Sequence, residues 1–268
     1  MSEPEVEVVI EEDVAADEEM GEEADIGDET TAGGLGDIEP TAPEHVAFSD
    51  YLRSPIVELV IGPENEPTSL FAHQGLILRS PYFTEACQQF SDDAAGRRIL
   101  LPDEDLAATS AVLEYLYRSE YFPAVTNKTS LEVDPSVPVK DDEGVGLLRH
   151  ARVYTLAKKL GLPKLSSLAH RKIHLTSSNA RGEIAYARYV YKETSPDDEN
   201  VRKPIAAFWA SRSYVLRHEA EQEFKKMCLE FPQFGFDVLS LVLDAQERTS
   251  QKGSAAGTAA GRKRQRQI

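Results

Sequence analysis

Between Ile56 and Phe122 the chain alternates short strand and helix signals, and the residues at each joint say where an element must stop. Ile56–Gly62 is a β-branched run closed by Gly62-Pro63, a pair that turns a chain. Ser69-Leu70-Phe71-Ala72 suits the returning strand of a hairpin, because residues 63–67 are rich in turn formers. His73–Leu78 reads as one short helix. Pro81 has no N–H to continue that helix but fits the first turn of the next, with Ser80 as N-cap. Phe83, Cys87 and Phe90 follow at helical spacing, and residues 92–96 form a polar loop. Arg98–Leu101 reads as another strand. Pro102 and Asp103 then open a helix that carries Leu106, Val112, Leu113, Leu116 and Tyr117 and continues to about Ser119. Its Asp103-Glu104-Asp105 run puts acid where the helix dipole favours it.

Charge divides the chain differently. Residues 1–44 hold 17 of the 46 acidic side chains and none of the 29 basic ones, so the remainder balances at zero. The same segment has no aromatic residue and cannot bury enough apolar surface to offset its ordering entropy, so it reads as a disordered tail. The opening residues lack the basic flank and apolar stretch of a secretory signal, and no apolar run approaches the ~18 residues of a membrane span. Cys87 and Cys228 stand far apart in helical contexts, which fits a reducing compartment. A nuclear or cytoplasmic location follows.

Beyond Phe122, residues 123–146 contain prolines and the run Lys140-Asp141-Asp142-Glu143-Gly144 without a consistent period, and read as an inserted loop. Leu147–Leu160 resumes an amphipathic helix that Gly161 and Pro163 end. Leu165, Leu168, Ala169 and Ile173 mark its antiparallel neighbour. Further helices carry Ile184, Ala187, Tyr189 and Val190, then Val201, Ile205, Phe208, Trp209 and Val215, then Glu219–Glu230 and Phe234–Glu247. Past Ser250 the composition is Gly, Ala and Ser with a basic cluster, a flexible tail.

The joint from Ala72-His73 through Ser80-Pro81-Tyr82-Phe83, with the order of elements around it, resembles the BTB/POZ domain. The helices at Val153–Ala157 and Leu165–Ala169 look like the pair that closes that domain. Leu101-Pro102-Asp103-Glu104-Asp105, Tyr115-Leu116-Tyr117 and Glu120-Tyr121-Phe122-Pro123 are similar to BTB proteins of filamentous fungi, many of which have a helical C-terminal extension. The resemblance covers residues 50–122 and 147–175, under half the chain. It implies an α+β fold, a small sheet flanked by helices, that serves as an interaction module without chemistry of its own. The layout that results is an acidic disordered tail over 1–44, a BTB/POZ domain over 45–175 with the inserted loop, an α-helical extension over 176–248, and a basic disordered tail over 249–268.

The resemblance also implies sites. Val46, Phe48, Tyr51 and Leu52, with His73, Leu76 and Ile77 of the first helix, fall in the region through which family members dimerise. A hydrophobic-x-Glu patch grips a cullin scaffold in ubiquitin-ligase members; the nearest match is Phe90-Ser91-Asp92, and Phe90, Asp92, Tyr115 and Tyr117 are the cullin-facing candidates. Glu58 and Gln74 stand where many members have Asp and Lys, a departure in the charged pocket that transcription-factor members offer to corepressors. Kelch, zinc-finger and MATH-like signatures are missing from the sequence.

Sites for chemistry do not assemble. His218-Glu219-Ala220-Glu221-Gln222 has Gln where a zinc-protease helix needs its second His. His170 and His174 share a helix face but have no carboxylate or thiol nearby in sequence, so they read as a solvated pair. Gly33-Gly34-Leu35-Gly36 has no strand before it and no helix after, and Cys87 between Phe83 and Phe90 reads as core, as does the Phe208, Trp209, Val215 stripe. No cofactor or metal is expected, nor an enzyme. Arg262, Lys263, Arg264 and Arg266 are candidates for nuclear import. A folded body of zero net charge argues against direct nucleic-acid binding. The expected function is protein–protein interaction: self-association or recruitment of a partner, as a substrate adaptor for a cullin-based ubiquitin ligase or, alternatively, as a nuclear scaffold or chromatin regulator.

Overall fold

Along β1 (Ile56–Ile61), Val57, Leu59 and Ile61 are buried while Ile56, Glu58 and Val60 face the other way, the period of two that one-sided burial imposes. The computed structural model describes residues 46–90, 96–127 and 129–257. The acidic segment, Asp92 and the basic cluster at 262–266 lie outside the described residues. β1 runs antiparallel to β2 (Thr68–His73), with Leu59 opposite Leu70, and parallel to β3 (Arg98–Leu101), with Leu59 opposite Ile99. The order is β2-β1-β3. A parallel pair needs a crossover, and α2 (Gln74–Ile77) and α3 (Pro81–Gln88) supply it. Short helix α1 (Phe48–Arg53) precedes the sheet, and α4 (Leu106–Arg118) follows it.

Ser80 and Pro81 behave as their residue types demand. Ser80 Oγ accepts the Phe83 N–H at 3.4 Å and donates to the Leu160 carbonyl at 2.6 Å, joining positions 80 residues apart. Gly161 beside it has φ +70°, and a Cβ there would stand 2.9 Å from Pro81 Cδ. Only glycine meets both requirements.

Two boundaries and one loop differ from expectation. α4 begins at Leu106, because Asp105 is itself the N-cap and accepts the Ala108 N–H at 2.8 Å; Pro102 to Glu104 lie before the helix. The stretch read as a structureless insertion contains a small hairpin, β4 (Val125–Asn127) and β5 (Ser130–Leu131). It closes on Asp141, whose carboxylate accepts the N–H groups of Val145 and Gly146 at 2.8 and 3.0 Å and so starts α5 (Val145–Lys159). At the far end, α10 (Pro232–Gly257) continues past Ser250, where a tail was expected from residue 249. The Thr249 and Ser250 hydroxyls donate to carbonyls one turn back, and the alanines that follow favour helix.

α6 (Pro163–Leu175), α7 (Ala180–Glu193), α8 (Glu199–Glu219) and α9 (Glu221–Glu230) complete the chain. α5 is central, packing on α4, α6 and α7; α8 packs on α7 and α10. One apolar core runs continuously from Val57 to Val238, so the packing shows no break near residue 175. Trp209 is fully buried and stacked on Phe224, but Phe208 is half-buried and Val215 exposed, so the expected core stripe holds only at its centre.

Lys172, in the last turn of α6, is 0% exposed. Its ammonium meets the Tyr121 carbonyl, the Pro123 carbonyl at 2.8 Å and the Glu120 carboxylate at 2.5 Å, and it lies 3.6 Å from the Tyr121 ring centroid. Burial lowers its pKa while Glu120 works against that shift. The Tyr121 hydroxyl in turn reaches His150 Nδ1 at 2.9 Å, and both side chains are buried. Burial, helped by the charges of Lys172 and Arg149, holds the imidazole down to about 3. Burial also raises the phenol, so Tyr121 keeps its proton beside a neutral ring.

Acid should therefore destabilise the fold through His150. Between pH 6.5 and about 3 the unfolded chain takes up a proton that the folded chain refuses, so stability falls with pH in that window. The slope from this group is at most about 1.4 kcal/mol per pH unit. The double variant Tyr121→Phe/His150→Phe removes the titrating ring and its partner together. Urea unfolding across the window should show a shallower decline in the variant, and parallel declines would place the acid sensitivity elsewhere.

Candidate interaction surface

α1 buries none of its six residues. Val46, Phe48 and Leu52 are about half exposed, and Tyr51 is half-buried. A helix this short has no stability of its own, and it is held by its neighbours instead. Ser54 Oγ donates to the Tyr51 carbonyl at 2.6 Å and accepts the Gly75 N–H at 2.8 Å, while the Gln74 N–H donates to the Pro55 carbonyl at 2.8 Å. A Cβ on Gly75 would come within 3.1 Å of Ser54 Oγ and 3.2 Å of the Tyr51 ring. Gly75 thus lets the start of α2 lie directly under α1, so the apolar side chains of α1 stay outside.

The outer face of the sheet is a second exposed apolar area. Phe71 is 65% exposed and Leu100 64%. Register places Phe71 opposite Glu58 and Glu58 opposite Arg98, and on the next outward row Ser69, Val60 and Leu100 line up. Glu58 accepts from Ser69 Oγ at 2.6 Å and from Arg98 Nε at 2.8 Å, bonds that hold its carboxyl below the usual range. The charge at the middle of this face is thereby neutralised, which lowers the cost of covering it. Sequence reasoning missed Phe71 and Leu100, although strand alternation alone assigns both to the face opposite Leu59 and Ile99.

Several expected site residues are not on any surface. Leu76 and Ile77 are buried in the core at 1% and 0% exposure, because α2 is a single turn pressed between the sheet and α4, and cannot touch a second chain. Tyr115 is likewise buried, on the inward side of α4. Phe90 is half-buried and packs against the core just past the end of α3. Tyr117 and His73, assigned to different candidate sites, are brought together. The Tyr117 hydroxyl accepts the His73 N–H at 3.0 Å and lies 2.7 Å from His73 Nδ1, tying the end of β2 to α4.

The chemical readings resolve in the same way. α8 ends at Glu219 and α9 starts at Glu221, so the His218 to Gln222 run is not one helix. His170 Nε2 lies 2.9 Å from the Asn200 carbonyl and 3.2 Å from His174 Nε2, so the pair is engaged and not merely solvated. Cys87 is buried, and burial pushes its thiol up. In the cleft between α4 and α5, Arg152 pairs with Asp105 at 3.2 Å and Lys159 with Glu104. Among the described residues, no group of three or more His, Cys, Asp or Glu could hold a metal, and no helix is long and apolar enough to cross a membrane.

The fold and surface define an α+β protein with a small sheet and exposed apolar areas on α1 and on the outer sheet face. Comparison with protein-family models finds no match, and comparison with curated proteins finds none either.

Tyr117→Phe removes the acceptor for the His73 N–H and the partner of its ring. It should cost about 1–3 kcal/mol, the price of an unsatisfied half-buried donor, read as a lower urea midpoint at pH 7. An unchanged midpoint would mean that water replaces the hydroxyl.

Proposed function

We propose that this chain is a BTB/POZ-type interaction protein that binds a second protein chain, in the first instance a copy of itself, through α1 and the adjoining outer surface. The observation that carries this reading is a helix with no buried residue, held in place by its flanks while Val46, Phe48 and Leu52 face solvent. Isolated exposed apolar residues are ordinary, but contiguous ones mark contact surfaces. Phe71 and Leu100 on the sheet are further apolar area for a partner to cover. An interface of standard size needs about 800 Å² from each partner, and α1 alone is too short to supply it. The His73, Tyr117 and Gly75 contacts fit this role as supports that fix the surface from behind. Helices α7 to α10 would then be the extension that distinguishes this chain from a bare BTB/POZ domain. Under this reading the protein is a binding module and not an enzyme.

Phe48→Asp/Leu52→Asp puts two charges into the proposed contact without touching the core. Light scattering on the full chain should give twice the chain mass for the wild type and the single mass for the variant, with unchanged circular dichroism. A wild type that stays monomeric at high concentration would remove self-association from the proposal.

Recruitment of a cullin is the more specific form of the proposal. It rests on the half-buried Phe90 and Tyr117 and on Asp92, which lies outside the described residues. Affinity purification from the native cells should recover a cullin with the wild type and lose it with Phe90→Ala/Asp92→Ala. Recovery of chromatin proteins with no cullin would favour the nuclear scaffold instead.

A further inference from the structure

Two polar groups one turn apart on α7 lack partners. Neither the Glu183 carboxyl nor the Tyr186 hydroxyl makes a side-chain hydrogen bond among the described residues, although Tyr186 is only 5% exposed and Glu183 is half-buried. Neither group is fully enclosed, so both keep some access to solvent and to a ligand. Both line one pocket of about 130 Å³, whose apolar wall is formed by Leu147, Ile173, Ile205 and Phe208. That volume is slightly below the roughly 150 Å³ of a cavity able to hold a benzene ring.

Pro204 lines the pocket from within α8. Proline has no N–H to give the Asn200 carbonyl, and His170 Nε2 stands 2.9 Å from that oxygen instead. His170 therefore carries its proton on Nε2 and is committed to the helix. His174, at the rim, faces His170 Nε2 at 3.2 Å, and burial together with His170 lowers its pKa, so it is neutral near pH 7. The charge of Arg212 on α8 acts on Glu183 against the effect of burial, but its guanidinium lies 4.6 Å from the Phe208 ring centroid and forms no ion pair with Glu183. α5 contributes only Leu147 to the lining. A single carboxyl thus meets an apolar wall without an ion-pair partner among the described residues.

We propose that this pocket binds a short alkylammonium group, with the cation on Glu183 and Tyr186 and the alkyl stem against Leu147, Ile173, Ile205 and Phe208. An anion would face an unneutralised carboxylate, and a larger ligand would not fit. A neutral apolar molecule would leave the carboxyl unpaired in a drier site. Burial has already raised Glu183 to about 7, so a bound cation displaces its proton, and affinity must rise with pH through neutrality. A small free amine and a lysine side chain of a partner share this chemistry.

The test titrates the full chain with n-butylammonium chloride and with 1-butanol, a neutral isostere, following the protein by NMR. At pH 8 the ammonium should bind at least about tenfold more tightly than the alcohol, and its affinity should drop about tenfold at pH 6 as Glu183 takes up a proton. Glu183→Gln, which keeps the shape, should abolish the preference. Ile205→Trp, which fills the pocket, should abolish binding of both and serves if the first variant does not fold. A capped Gly-Lys-Gly peptide separates the sources: binding assigns the pocket to a lysine side chain, and exclusion of the peptide while butylammonium binds assigns it to a free amine. Equal affinity for alcohol and ammonium would overturn the proposal. So would a preference that survives Glu183→Gln, the lack of saturable binding by either probe, or titration of Glu183 in the ordinary carboxylate range through pairing with Arg212.

Discussion

The Lys172 ammonium sits where water does not reach, and its surroundings are arranged to meet that condition. An isolated charge in a protein interior is too costly to keep, so its hydrogen-bonding capacity must be met from nearby chain. Here the Tyr121 and Pro123 carbonyls and the Glu120 carboxylate meet it. These three residues are consecutive with Phe122, in the segment that leaves α4 and enters the β4–β5 hairpin. One cation on α6 therefore fixes the path by which the sheet-bearing half passes into the helical half. The same contacts orient Tyr121 toward His150 on α5, so α4, α5 and α6 converge on a single buried polar cluster. Such a network is stable only when every member is satisfied, which explains why so many elements end close to it.

Much of the α+β frame was legible because it depends on residues with one strong preference. Ser80-Pro81 starts a helix almost regardless of context, and the alternation in β1 leaves one register in which both strands bury their apolar sides. Arg98–Leu101 was placed to the residue. What was not legible depends on partners distant in sequence. Lys172 reads as a surface residue until Tyr121 and Pro123 are folded onto it. Leu76 and Ile77 looked available because a single-turn helix gives no periodicity from which to infer a buried side. Tyr115 and Tyr117 are two apart on α4, so one faces the core and the other the end of β2. The hairpin within residues 123–146 was hidden because its strands are shorter than any window in which alternation can be counted.

The outer surface and the α7 pocket are unpaired in opposite ways. On α1 and the sheet, apolar groups lie in water and the one central charge is already neutralised by its neighbours. In the pocket the apolar groups are already packed and a polar pair is left over. The first arrangement suits a broad partner recognised by area, and the second a small group recognised by charge. They share no residue, so either can be altered without disturbing the other.

Trp209 is the only tryptophan in the chain, and it lies in α8, stacked on Phe224 of α9 and edge-on to Phe234 of α10 with its indole N–H unbonded. Its ultraviolet emission therefore originates in a dry aromatic stack made wholly of C-terminal helices. The three-stranded sheet carries neither tryptophan nor tyrosine, and Phe71 is its single phenylalanine. The two ends of the molecule thus carry separate optical signatures, so loosening of α8 to α10 would redden the tryptophan band while leaving the backbone signal of the sheet in place.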